Sequence, residues 1–234
     1  HLYHRRQRQM CIRDRLLTNN RSIKKSLEKE KKESDALAYD LRKKEKRYIN
    51  QITQKQKATL KIDKEIERLI REAIAKSNRE KNKSKNFTLT PEALELSKNF
   101  ALNKGKLPWP VIRGVVIQKF GTQPHPVVKT AKIKSNGIII ATTNKEKVRT
   151  VFDGVVLSVL QFKGSNPTIL IQHGKYITAY KNLSKVYVKK GDKVFSNQNI
   201  GEVFTNNSTG KSTIQFSIFQ NTTPINPLIW IIKM

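Results

Sequence analysis

Catalysis in the C-terminal part of this chain would have to come from very few side chains. Between residues 91 and 234 the only histidines are His125 and His173, the only aspartates are Asp153 and Asp192, and there is no cysteine. A hydrolytic zinc ion needs about three N, S or O protein ligands near ~2.0–2.2 Å, with a fourth position open for water. His125 stands in a Pro-His-Pro loop and His173 in a Gln172-His173-Gly174 turn, while Asp153 and Asp192 lie in the turn signatures Phe152-Asp153-Gly154 and Gly191-Asp192. This spacing assembles no ligand set, and a serine nucleophile would lack its base. The lone Cys11 supports neither a disulfide framework nor a CxxC site. The expectation is a chain with no metal, no cofactor and no catalytic residue.

The elements around these residues divide the chain. Residues 1–15 show no helical or strand period, resemble a translated adapter tail and are set aside from the fold. Residues 16–85 read as a helix with a coiled-coil seam, stepping by four and three through Leu41, Glu45, Tyr48, Ile52, Lys55, Thr59, Ile62, Ile66, Leu69 and Ala73. Residues 86–106 read as a linker containing a short helix. Thr90 is its N-cap, Pro91 its first residue, and Leu94, Phe100 and Ala101 its apolar positions. The all-polar stretch Ser77–Asn86 before it is expected to be loop or frayed helix end.

From residue 107 to 234 the period changes to β. Expected strands are Val115–Phe120, Gly137–Thr142, Gly154–Phe162, Thr168–Gln172, Tyr176–Asn182, Ile200–Phe204 and Thr213–Phe219. The fold class is therefore α+β multidomain: a long N-terminal helix, then an antiparallel β domain of sandwich or partly open barrel type.

Net charge narrows the partners. Of the +29 total, residues 91–234 hold 20 basic against 6 acidic residues, which is +14, so the excess belongs to no single tail. Such a chain is drawn to polyanions. Aromatic residues make up only 7% and do not alternate with the basic ones, so no nucleic-acid platform is expected. No apolar run reaches the ~18 residues of a membrane span.

Several signatures occur in one order: Ser135-Asn136-Gly137-Ile138-Ile139, Phe152-Asp153-Gly154, Gln172-His173-Gly174, Thr178-Ala179-Tyr180-Lys181-Asn182-Leu183, Val188-Lys189-Lys190-Gly191-Asp192, Thr213-Ile214-Gln215-Phe216, and Asn226-Pro227 ahead of Trp230. Together they resemble the LytM (lysostaphin-type) metallopeptidase domain, whose active members cleave peptide crosslinks in bacterial cell wall. The resemblance puts that family's zinc ligands at Ser135, Ile139 and Gln215, and its assisting histidines at Asn182 and Thr213. All five positions hold other residue types, which implies a pseudo-peptidase.

A degenerate domain of this kind behind a coiled coil resembles the EnvC-type murein hydrolase activators. The resemblance implies a periplasmic protein of the cell envelope that stimulates a peptidoglycan amidase in cell-wall remodelling and daughter-cell separation. It further implies a division complex acting through the coiled coil, a groove that docks the amidase, and a helix that restrains the groove. Ser135, Tyr180, Asn182, Thr213, Gln215 and Ser217 are expected to form the groove surface, with Tyr180 as anchor. Helix Pro91–Leu102 is expected to restrain it through Leu94 and Phe100. The competing readings are an active zinc-dependent peptidoglycan endopeptidase and a non-catalytic wall-binding protein. A lipoyl-type carrier, suggested by Val188–Val194, lacks the required lysine hairpin.

Overall fold

The computed structural model describes residues 2–78, 87, 89–125, 128, 130–162 and 164–233, with the backbone alone for residues 2–9. The chain forms two compact units, one up to Lys55 and one from Gln56 onward. Helix α1 (Leu2–Ser77) contributes to both. It has no glycine or proline and is rich in Lys, Arg, Leu and Glu, all favourable in helices. That propensity carries the helix through residues 2–15, where no apolar period is present. Pairs such as Asp40–Lys44 at 2.7 Å add little, being exposed. In the first unit Leu27, Leu37, Leu41 and Tyr48 are exposed. Of the polar stretch Ser77–Asn86 expected to be loop or frayed helix end, Ser77 is the last residue of α1, Asn78 is a turn, and residues 79–86 lie outside the described residues.

In the second unit α2 (Pro91–Leu102) begins as expected, the Thr90 hydroxyl accepting from the Ala93 N–H. Strands β1 (Val115–Gln118), β2 (Gly121–Pro124), β3 (Lys132–Ser135), β4 (Ile138–Thr142) and β5 (Lys147–Arg149) follow. Then come β6 (Gly154–Leu160), β7 (Thr168–His173), β8 (Tyr176–Lys181), β9 (Leu183–Val186), β10 (Lys193–Val194), β11 (Asn199–Val203), β12 (Ser212–Gln220) and β13 (Thr223–Ile225). The main sheet runs β1-β4-β12-β8-β7-β6-β10 with β13 on β12; a second sheet is β5-β11-β9, and β2-β3 is a hairpin. All pairings between these strands are antiparallel, and the main sheet stays open rather than closing into a barrel. The seven expected strands are all present.

Strand alternation gives the main sheet two faces of different use. On one face Ile138, Ile140, Ile169, Ile171, Tyr176, Tyr180, Ile214, Phe216 and Ile218 join Val148, Leu183, Ile200 and Val203 of the second sheet in the main core. On the other face Leu170, Ile177, Ala179 and Phe219 make a second apolar cluster, and what closes it is α1: Ile66, Ile70 and Ile74 are buried there. The seam of α1 is thus satisfied in its last turns by the β domain. Residues at i, i+4 and i+8 share a helix face, which is why Ile66, Ile70 and Ile74 align.

Candidate functional site

Register places the sequence-predicted positions. In β12, Thr213, Gln215 and Ser217 point to the face covered by α1, because Gln215 is paired with Lys181, Ser217 with Ala179 and Thr213 with Ala141. Ile139 lies directly across from Gln215 on β4. Asn182, at φ 71, turns the chain out of β8, and its amide donates to the Thr213 carbonyl at 2.6 Å and hydroxyl at 3.2 Å. Ser135 is held by its own loop, donating to the Gly137 carbonyl at 2.8 Å and accepting the Gly137 N–H at 3.3 Å. Gly137 brings that loop onto β12: a Cβ there would lie 2.2 Å from both the Phe216 carbonyl oxygen and the Ser217 hydroxyl. Only glycine permits this approach.

Two expectations are corrected. Tyr180 is not part of this surface. It is paired with Phe216, on the core face, is fully buried, and its hydroxyl accepts the Val151 N–H at 3.0 Å. Burial raises its pKa. The period of two, applied from Thr213 across to β8, puts Lys181 and not Tyr180 beside Gln215. The second correction concerns α2. Phe100 is fully buried in the main core, stacked on Tyr176 at 4.8 Å and His173 at 5.0 Å, whereas Leu94 is 47% exposed. Phe100 is committed to the main core, on the opposite side of the sheet from Gln215, and so anchors α2 in the domain.

That face is occupied by the last turns of α1. The Lys181 ammonium is paired with Asp63 Oδ1, and Asp63 Oδ2 accepts from the Asn136 side-chain amide at 3.1 Å. Farther along, the Gln56 amide donates to the Lys132 carbonyl at 2.9 Å. Sequence reasoning missed Asp63, Asn136 and Lys181. The signals were the run Asp63-x-x-Ile66-x-x-x-Ile70-x-x-x-Ile74 and a lysine alternating with Ile177 and Ala179, where a strand facing solvent would carry several polar residues.

A zinc ion of the kind the resemblance implies does not fit this donor set. Ile139 has no lone pair, Ser135 is committed to backbone partners, and the Gln215 amide is a weak ligand. Among the described residues no three His, Cys, Asp or Glu side chains could hold a metal together. The acids and histidines singled out in the sequence have other work. Asp192 accepts the Lys189 N–H at 2.8 Å inside a turn, Asp153 accepts the Ser196 N–H at 2.6 Å, and His125 accepts the Val128 N–H at 3.2 Å.

His173 is a buried strut. Its Nδ1–H donates to the Asp153 carbonyl at 2.5 Å and Nε2 accepts from the Thr178 hydroxyl at 2.9 Å. Burial lowers its pKa to about 4 in spite of the Asp153 carbonyl, so it is neutral in the fold. The next residue, Gly174 at φ +67, lets α2 approach: a Cβ there would meet the Ala93 carbonyl oxygen at 2.4 Å. An unfolded histidine titrates near ~6.5, so the unfolded chain takes up a proton that the fold refuses. Stability should be full above that pH and fall with acid, by about 2 kcal/mol between pH 7 and 5 from this residue alone. Urea midpoints across that range check this, with His173→Gln expected to flatten the profile.

Comparison with known proteins comes to the same domain. Residues 133–227 match the profile of Peptidase family M23. The murein hydrolase activator EnvC of Escherichia coli K12 is 26% identical over 199 residues, 82% of this chain and 45% of that protein. The peptidoglycan DD-endopeptidase ShyA of Vibrio cholerae is 34% identical over 108 residues, 44% of this chain and 24% of that protein. The chain thus spans less than half the length of either relative. Among solved structures, Csd3 of Helicobacter pylori superposes with a TM-score of 0.46 at 27% identity, covering 55% of this chain and 35% of that one.

Proposed function

We propose, from the premise that residues 133–227 are a LytM-type peptidase M23 domain, that this protein is a non-catalytic activator of peptidoglycan amidases. The observation that carries the reading is the pair of cross-strand partners Ile139 and Gln215. Two positions to which the resemblance assigns metal ligands stand opposite each other on β4 and β12 with an aliphatic side chain and a neutral amide. Similarity to EnvC over most of the chain supports the activator role, with an amidase as partner and the cell envelope as location. No described helix is long and apolar enough to cross a membrane.

In this reading the face of Thr213, Gln215, Lys181 and Asn182 docks the amidase, and α1 restrains it by lying over it. Restraint passes from α2 to the last turns of α1, whose Ile66, Ile70 and Ile74 pack on Leu170, Ile177, Ala179 and Phe219 of the same sheet face and whose Asp63 pairs with Lys181. The exposed first unit of α1 is the handle through which a division complex acts, and the basic surface favours retention near acidic wall polymer. In this reading residues 1–15 have no role of their own, the coiled-coil part is α1, and the β domain begins near 107.

The match to ShyA favours a second reading, an active zinc endopeptidase. One experiment separates the two. The full chain, freed of loosely bound metal by dialysis, is incubated with labelled peptidoglycan alone and with an amidase. The expected result is less than a tenth of an equivalent of zinc, no release by the chain alone, and release with amidase above that of amidase alone. Stoichiometric zinc with chelator-sensitive hydrolysis would establish the endopeptidase.

A further inference from the structure

The covered face has an apolar floor of Leu170, Ile177, Ala179 and Phe219 and one charge beside it, Lys181. The Lys181 side chain is 6% exposed and that of Asp63 is 11% exposed, so this pair is desolvated on both sides. Asp63 is held at both oxygens, by Lys181 and by Asn136, which fixes where the carboxylate sits relative to Ile66, Ile70 and Ile74. Among the described residues no acidic side chain of the β domain is paired with Lys181. When α1 leaves, the lysine loses its counter-ion while the floor keeps its apolar character.

We propose, resting on the docking role given above to this face, that its partner is an apolar segment carrying one carboxylate that takes the place of Asp63 between Lys181 and Asn136. Covering the floor with a purely apolar segment would bury an ammonium without a counter-charge, which is far more costly than leaving it in water. A segment with a basic residue there would meet Lys181 and a domain whose residues 91–234 carry 20 basic against 6 acidic side chains. The lysine thus acts by exclusion, rejecting neutral and basic segments that would otherwise fit the floor. Apolar area gives most of the attraction, and the carboxylate decides which apolar segment is admitted.

The test uses the full chain with Ile66→Ala and Ile70→Ala, which weaken the resident helix without touching the main core. The probes are two labelled synthetic peptides with the sequence of residues 56–78, one unaltered and one with Asp63→Asn. Fluorescence anisotropy should show the unaltered peptide binding at least tenfold more tightly. In a chain that also carries Lys181→Met, a neutral residue of similar length, the carboxylate loses its counter-ion, so that preference should be lost or reversed and the Asp63→Asn peptide should bind. Equal affinities for the Lys181 chain would overturn the carboxylate requirement and leave the docking face standing. Failure of both peptides to bind any folded variant would overturn the inference together with the docking face.

Discussion

Replacing Ile66 and Ile70 together by aspartate in the full chain is expected to raise amidase stimulation about tenfold or more at limiting protein concentration. Both side chains are fully buried against Leu170, Ile177, Ala179 and Phe219. Burying an isoleucine side chain contributes roughly 1.5–3 kcal/mol, and two carboxylates cannot enter that floor unpaired. The closed arrangement should therefore lose several kcal/mol, while the main core, on the other face of the sheet, is untouched. A change of about 5.5 kcal/mol is enough to carry a two-state equilibrium from 1:99 to 99:1. Dose–response curves of amidase activity on labelled peptidoglycan give the half-maximal concentration, and thermal melting of the same samples reports the core. Stimulation unchanged from the parent chain, with α1 shown by amide exchange to have left the sheet, would mean that α1 restrains nothing.

How much of this was legible in the sequence depended on what signalled each element. The seven strands expected from Val, Ile and Phe runs with turn residues between them are all present. Strands β2, β3, β5, β9, β10 and β13 were not expected. They are two to four residues long and rich in Lys, Thr, Ser or Pro, and they form from pairing with neighbours rather than from their own pattern. The apolar seam of α1 includes Ile66, which is buried, but steps from there to Leu69 and Ala73, where the buried stripe continues through Ile70 and Ile74. A seam facing a flat sheet follows i, i+4 spacing and need not keep the alternation a second helix would demand. The groove positions on β12 follow from period two alone, as Thr213, Gln215 and Ser217 do. Tyr180 required the cross-strand register, since one residue of slip moves a side chain to the opposite face.

The role of α2 is where the two ways of reading Phe100 diverge most. As part of a movable restraint, Phe100 could be cut back to alanine with no loss of domain stability and a gain in amidase stimulation. The structure instead has it enclosed by four rings: Tyr176 at 4.8 Å, His173 at 5.0 Å, Trp230 at 5.3 Å and Phe152, edge-on, at 5.4 Å. These rings come from β7, β8, the connection ahead of β6 and the C-terminal segment, so Phe100 joins parts of the domain distant in sequence. Removing a buried phenylalanine costs about 3–5 kcal/mol through lost transfer energy and the cavity left behind. Against a typical domain stability of about 5–15 kcal/mol, Phe100→Ala should lower the melting temperature by several degrees and shift the urea midpoint down. Deleting residues 1–104 removes the same side chain along with α1, so that truncated domain should be destabilised as well as uncovered. A truncation that starts near residue 87 removes the cover and keeps α2. The pair of truncations therefore separates restraint from support: both should lose the α1 cover, and only the one lacking Phe100 should melt early. If both melt alike and stimulate alike, α2 is a spacer and Phe100 does not hold the core together.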